Sequence, residues 1–286
     1  MHEDKYSNNE GGIILGQIPD LSSNMGYVKA ADFGDKKIYE ITALAVDPKN
    51  IIENNSNQIH LSNVRVLEDN KFGFSVGDEF SYAIKYLDLV PLLDVRVKVN
   101  SAQSESNISL EADASARGIL AMLVDVSIQM KSLINKESTV PLEYNQRIRI
   151  GKDIKIKDAV FDREQLVMSS KDRQVAINKY TQDPLSALFY ISALDFNYVR
   201  NFDVLINAGK TNYKLNAKVM GKTQIKSFGK KIDCWEIKGE YFNLKGNPKK
   251  IAAVNIWFIN SKTKPLLRME VLTQAGFITL QNKTEN

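Results

Sequence analysis

The feature that most constrains the fold is a regular alternation of apolar and polar residues in many short segments. Every second residue of stretches 80–86, 95–99 and 213–219 is aliphatic or aromatic, and the residues between them are polar or small. Because successive side chains of a β-strand point to opposite faces, such segments place one face in a core and the other in water. Turn residues separate the segments at intervals of about 8–15 residues. The chain is therefore predicted to be mainly β, with a strongly curved antiparallel sheet that forms a half-barrel or open barrel.

The middle of the chain is patterned as hairpins. Leu142 to Ile150 and Asp153 to Phe161 both alternate, and Gly151-Lys152 between them is typical of a tight turn. Residues 117–126 fit helical and strand spacing about equally well. We interpret them as a short helix or turn that leads into a strand.

One stretch, residues 181–196, is helical in pattern. Asp183 can accept hydrogen bonds from the unpaired amides of a first turn and is interpreted as the N-cap, and Pro184 suits the first helical position. Apolar residues occupy both faces of residues 185–194, so the helix should be largely buried. We expect a short buried helix near 183–194 that acts as a plug or lid beside the sheet.

Composition divides the chain into three parts. Residues 1–35 are rich in Asn, Ser, Gly and Asp and predict a mobile N-terminal arm. Residues 36–73 contain two strand-like segments and predict a small β extension. Residues 74–286 predict the main curved antiparallel domain.

Charge and hydropathy limit the classes of partner. Residues 1–74 carry 11 acidic and 7 basic side chains, which leaves a net charge of +8 on residues 75–286. This asymmetry is compatible with an anionic lipid head group or membrane surface, and equally with lysines on solvent-facing strand positions. The basic residues alternate with apolar ones and form no nucleic-acid-binding motif, so no nucleic acid partner is expected. No stretch reaches the roughly 18 consecutive apolar residues of a membrane helix, so no transmembrane segment is expected.

Few residues in the sequence point to catalysis or metal binding. His2 and His60 are the two histidines, and the single cysteine, Cys234, is interpreted as a buried small side chain. No metal-binding or phosphate-binding motif occurs, so neither a metal nor a cofactor is expected. A catalytic site formed by converging carboxylates stays an open alternative. The candidates are Asp195, Asp203, Glu236, Glu240 and Glu270.

Apolar side chains are the remaining candidates for a binding site. They either fill the interior as plain core or line a space left for an apolar ligand, and a curved sheet wrapped around a helix tends to leave such a space. The predicted lining residues are Leu120, Leu123, Leu188, Phe189, Leu194 and Trp257.

Three segments carry a family resemblance. They are the strand Val76–Tyr82 (VGDEFSY), the helix start Asp183–Tyr190 (DPLSALFY) and the strand Ile256–Phe258 (IWF), and the order of these segments also fits. In these features the chain resembles the bacterial exported family called domain of unknown function three-one-zero-eight, over about residues 74–282. The resemblance implies an antiparallel half-barrel similar in shape to the lipoprotein carriers LolA and LolB. It also implies export to the periplasm or outer envelope after removal of a signal segment, and it brings no catalytic residues.

The leading hypothesis is a non-enzymatic periplasmic protein that binds a lipid or acyl chain between the curved sheet and the helix. A second hypothesis is a structural or assembly module that pairs with another envelope protein through an exposed strand edge. A third is a hydrolase of envelope glycan or lipid, which requires converging carboxylates or a site centred on His60.

Overall fold

In the residues that the computed structural model describes, a single antiparallel sheet of 14 strands makes up most of the fold. The structure describes residues 74–284 except 172, 210, 245–248 and 274–275. The predicted arm (1–35) and β extension (36–73) lie outside these residues. The strands are β1 (Glu79–Tyr86), β2 (Val90–Ser101), β3 (Asn107–Ala116), β4 (Val126–Asn135), β5 (Pro141–Ile150), β6 (Asp153–Asp162), β7 (Val167–Ser170), β8 (Arg173–Ala176), β9 (Asn201–Asn207), β10 (Asn212–Ser227), β11 (Lys230–Asn243), β12 (Lys249–Ile259), β13 (Leu266–Thr273) and β14 (Gly276–Asn282). Within the same residues, two short helices, α1 (Ile119–Leu123) and α2 (Ser186–Ala193), interrupt the strands.

The strand order explains how the sheet curves around the helix. The order is β8-β7-β6-β5-β4-β3-β2-β1-β14-β13-β12-β11-β10-β9, so strands that follow one another in the chain pair as neighbours. There are two exceptions: β8 and β9 follow one another but do not pair, and β1 pairs with β14, which places the two ends of the strand sequence in the middle of the sheet. The edges are β8 and β9, and the connection between them contains α2. The predicted mainly β fold with a curved, open antiparallel sheet is confirmed.

The segment before α2 spans the gap between the two sheet edges. The amide of Gln182 donates to the carbonyl of Leu205 at 2.7 Å, and the amide of Asn207 donates to the carbonyl of Gln182 at 2.8 Å. On the other side, the Arg163 guanidinium donates to the carbonyl oxygen of Thr181 at 3.0 Å. The sheet therefore stays open between β8 and β9, but this segment is bonded to both sides of the opening.

Local predictions in the first half of the sheet are confirmed. β5 and β6 form a hairpin whose turn contains Gly151 at φ 56°, a conformation that glycine adopts without a steric penalty. α1 is a short helix that leads into β4, as the pattern of residues 117–126 indicated. Among the described residues, no helix is long and apolar enough to cross a membrane.

The inward-facing side chains differ between the two ends of the strands. At one end, which we call the closed end, Val99, Leu110, Ile134 and Tyr144 are at most 1% exposed and belong to one core that includes α2. The other end, which we call the open end, carries the β1–β2 turn, α1 and the β5–β6 turn. There most inward-facing residues of β1–β6, β13 and β14 are only half-buried, whereas Ile206, Tyr213 and Val254 on β9, β10 and β12 stay buried.

Candidate ligand site inside the curved sheet

Asp183 fixes the first turn of the helical segment. One carboxylate oxygen accepts hydrogen bonds from the amides of Leu185 and Ser186 at 2.7 and 2.9 Å, and the other accepts one from the Ser132 hydroxyl of β4. The predicted bonding of Asp183 to first-turn amides is confirmed. The helix itself begins later than predicted, at Ser186, and its N-cap is Leu185 because residues 184–185 form a turn. Burial raises the pKa of the fully buried Asp183 carboxyl, and the hydrogen bonds oppose that shift.

Three further contacts hold α2 across the closed end. The Phe189 ring packs edge-on against Phe74, with centroids 4.7 Å apart. The Lys264 ammonium donates to the carbonyl oxygen of Ser192 at 2.8 Å. After the helix, Phe196 packs against Phe258 of β12 at 5.8 Å. The helix is thus attached to several parts of the sheet and fills one end of the interior.

A set of half-buried apolar residues continues from the core of the closed end toward the open end. Their inward direction follows from strand pairing, since Leu280 lies opposite Met269, and Met269 lies opposite the fully buried Ile256. Leu188 belongs to this set and is the residue of α2 that is not buried. We call the set the open-end lining, and it comprises Val95, Met130, Leu188, Tyr241, Met269, Val271 and Leu280.

One side of the open end is basic. On β6, Lys155 and Lys157 are half-buried and lie opposite Ile148 and Gln146 of β5. The Lys157 ammonium donates to the carbonyl oxygen of Ala208 in the β9–β10 loop. Gly209 in this loop has φ 101°, a conformation that favours glycine, and the end of the Lys157 side chain lies against it. The open end therefore combines an apolar lining with lysine side chains on one side.

The six predicted lining residues occupy three different places. Leu188 lies in the open-end lining. Phe189 and Leu194 are buried in the core of the closed end, at 7% and 0% exposure. Trp257 alternates with the buried Ile256 and Phe258 and therefore lies on the outer face of β12, which removes it from the interior.

Leu123 is exposed, and Leu120 is half-buried; neither belongs to the core or to the half-buried residues packed against it. Sequence reasoning missed most of the open-end lining. The available signal was the strand alternation itself, which marks Val95, Tyr241 and Met269 as inward-facing. Alternation does not tell which inward positions a helix covers.

The other candidate chemistries have different surroundings. The candidate carboxylates Asp203, Glu240 and Glu270 each bond separately to a neighbouring lysine or arginine. Within the described part of the chain, no group of three His, Cys, Asp or Glu residues could hold a metal ion. Two surface depressions, of about 510 and 400 Å³, lie over β2–β6 and are lined mainly by charged and polar side chains such as Asp113 and Gln129. Neither coincides with the open-end lining as a whole.

The fold is a curved, open antiparallel sheet with a short helix packed into one end of its apolar interior. The chain belongs to the family described as Protein of unknown function (DUF3108), which matches residues 81–282. The predicted family resemblance is thereby confirmed. No curated protein matches the chain by sequence.

Solved structures resemble this chain in fold at low sequence identity. A beta-barrel-like protein of domain of unknown function DUF1849 from Brucella abortus matches with a TM-score of 0.51 at 10% identity, covering 71% of this chain and 94% of that one. A protein with a YmcC-like fold from Bacteroides fragilis scores 0.34 at 9% identity, covering 74% and 98% of the two chains. The first likeness supports a shared barrel-like fold, and such low identity supports no function.

Proposed function

We propose that this protein binds the acyl chain of a lipid or lipidated ligand in the open end of the curved sheet, without catalysing a reaction. The observation that carries the proposal is the open-end lining, a set of half-buried apolar side chains continuous with the core. Plain core residues at the closed end are fully buried in a core that includes α2, whereas these residues keep part of their surface accessible. Such a surface gains free energy when an apolar chain removes it from water, at roughly 25 cal/mol per Å².

The charges of the open end favour an amphiphile with an anionic head group. Lys155 and Lys157 lie half-buried on the same inward face as the apolar lining. Lysine can pack its carbon chain along apolar surface while its ammonium group faces a charged partner. An acyl chain would therefore lie against Met269, Val271 and Leu280, with its head group toward β6.

The edges of the sheet make the alternative of strand-edge assembly less favourable. Pairing with another protein through an edge requires a long strand with free backbone groups. β8 has four residues, and the β9 edge is already bonded to Gln182 through Leu205 and Asn207. We retain the acyl-binding proposal for this reason.

Family membership also leads us to propose a periplasmic or outer-envelope location. The test is fractionation of cells that express the native gene, with immunodetection in the periplasmic, membrane and cytoplasmic fractions. Recovery in the cytoplasm would contradict the location without bearing on ligand binding.

The binding proposal is tested with gently purified protein and a fluorescent fatty-acid probe. We expect native mass spectrometry to detect a bound lipid, and we expect the delipidated protein to retain the probe. Val271→Asp should weaken probe binding at least tenfold, because a carboxylate in the lining must be desolvated when the acyl chain enters.

Leu272→Asp is the matched control. Leu272 is the next residue of β13, faces outward and is 51% exposed, so its substitution should leave probe binding unchanged. If no lipid co-purifies and the probe is not retained by the wild type, the acyl-binding proposal is wrong. Equal weakening in both variants would also contradict it.

A further inference from the structure

Neighbouring connections at the open end form one continuous surface. The amide of Arg117, just before α1, donates to the carbonyl of Leu92 in β2 at 2.9 Å. The amide of Gly151 in the β5–β6 turn donates to the carbonyl of Asp125, just after α1, at 2.7 Å. The β1–β2 turn, α1 and the β5–β6 turn therefore lie side by side.

Two of these connections expose large apolar side chains. Met122 of α1 is 86% exposed and Leu89 of the β1–β2 turn is 82% exposed, the highest values among the large apolar residues described. Further members are between 40% and 51% exposed. We call this surface the apolar rim, and it comprises Leu87, Leu89, Val90, Ile119, Met122 and Leu123. Contiguous exposed apolar surface of this kind marks an interaction site in soluble proteins.

The third connection supplies positive charge beside the rim. Residues 147–155 contain Arg147, Arg149, Lys152 and Lys155 and one acidic residue, Asp153, which gives a net charge of +3. Residues 85–90 and 117–125 each contain one basic and one acidic residue and are neutral. The surface as a whole is therefore apolar and cationic.

We propose that the apolar rim docks the open end of this protein on an anionic lipid bilayer. Leucine, isoleucine and methionine side chains that project from turns can enter the boundary between head groups and acyl chains, while adjacent cations meet anionic lipids. A protein partner would have to supply a rigid pocket for each separate projection, whereas a fluid bilayer adapts to their positions. Docking at this end brings the bilayer to the mouth of the interior. The inference does not require the interior to hold a ligand.

The test is co-flotation of the full chain with vesicles. We expect the protein to float with vesicles of one-third phosphatidylglycerol and two-thirds phosphatidylcholine, and to float poorly with phosphatidylcholine alone. The double variant Leu89→Asp with Met122→Asp should lower the partition coefficient at least tenfold, because it removes two apolar insertions and adds repulsion from the anionic lipid. Lys152→Glu should lower it about fivefold or more, since each basic residue near such a surface contributes roughly 1 kcal/mol.

The control replaces two exposed apolar residues outside the apolar rim with Asp in the same way. Tyr198, in the turn after α2, is 76% exposed, and Val160, on the outer face of β6 toward the closed end, is 56% exposed. Tyr198→Asp with Val160→Asp should leave flotation unchanged. Failure of the wild type to bind anionic vesicles would overturn the proposal, as would equal loss in the control.

Fatty-acid probe binding by the rim variant separates the two proposals. If the rim variant loses flotation but keeps the probe, the rim docks on lipid independently of the interior. A wild type that floats but never binds the probe would leave the docking proposal standing and refute acyl binding. A rim that instead mediates self-association predicts a smaller particle for the rim variant in light scattering and no flotation of the wild type, which counts against docking.

Discussion

On β4 and β13, the two ends of one strand have opposite properties. On β4, Ser132 and Ile134 at the closed end are fully buried, whereas Ile128 and Met130 toward the open end are half-buried. β13 shows the same change, from the fully buried Leu267 to the half-buried Val271. The strand pattern is similar along each strand, and the core at the closed end includes residues of α2. We infer that the position of α2 makes the difference.

This contrast separates stability from binding within one sheet. The closed end removes its apolar side chains from water during folding, and its free energy is gained before any ligand arrives. The open end keeps part of that surface accessible, so its free energy is available for association. Substitutions at the closed end should therefore change stability, and substitutions at the open end should change ligand binding. A variant that changes stability and binding equally would contradict this division.

The largest effect is expected from Leu194→Ala. Leu194 is 0% exposed in the core of the closed end, and truncation leaves a cavity that the surrounding structure cannot fill. We expect the free energy of unfolding in urea to fall by about 2–5 kcal/mol. The matched variant at the open end is Leu280→Ala, which should cost about 1 kcal/mol or less but weaken acyl-probe binding. Equal destabilisation by the two variants would contradict the division into closed and open ends.

The next largest effect is expected from Asp183→Ala. The substitution leaves the amides of Leu185 and Ser186 and the hydroxyl of Ser132 without their acceptor in a buried site. We expect a loss of about 2–4 kcal/mol, more than an exposed cap would give. Asp183→Asn is the control, because its side-chain oxygen can still accept from the two amides and it should recover much of the loss. Circular dichroism during urea denaturation provides the measurement.

The sequence predicted the fold better than the site, for a physical reason. Strand alternation and turn residues depend on local geometry, so the hairpin around Gly151 and the curved sheet could be predicted from the sequence. The burial of α2 could be predicted too, since both of its faces are apolar. Which ends of the strands this helix covers depends on distant contacts such as Phe189 with Phe74 and Lys264 with Ser192. No local pattern encodes them.

Trp257 was predicted to line the interior but lies on the outer face, for a related reason. A large aromatic residue is usually an interior candidate, but strand parity decides its face, and Ile256 and Phe258 occupy the inner one. Leu120 and Leu123 fit a buried helix by spacing, yet α1 is too short to form a covered face. Composition alone therefore overestimated the interior role of these three residues.

A smaller effect that depends on pH is expected at the closed end. Burial raises the pKa of the Asp183 carboxyl above its unfolded value of about 3.9. Stability from this group is then complete below that value and is lost as the pH rises through the folded pKa. Tyr144 and Arg163 face the same carboxyl, and the Arg163 charge limits the loss. The wild type should become less stable relative to Asp183→Asn as the pH rises from about 4, measured by urea denaturation across pH. A constant difference would show that Asp183 has the same pKa in both states.

The smallest effect is expected on the outer face, which is shared by both ends and takes part in neither role. Lys131 Nζ lies 2.8 Å from a carboxylate oxygen of Glu111, and the hydrogen bond from Lys131 is the main cause that lowers the pKa of Glu111. Both side chains are more than a third exposed, so water and salt screen the pair. Lys131→Ala should cost at most about 0.5 kcal/mol, within the range for exposed pairs. It should raise the pKa of Glu111 in a carboxyl-carbon NMR titration. A loss as large as that of Asp183→Ala would mean that the outer face also stabilises the sheet, and that the contrast between the two ends is not the main division in this molecule.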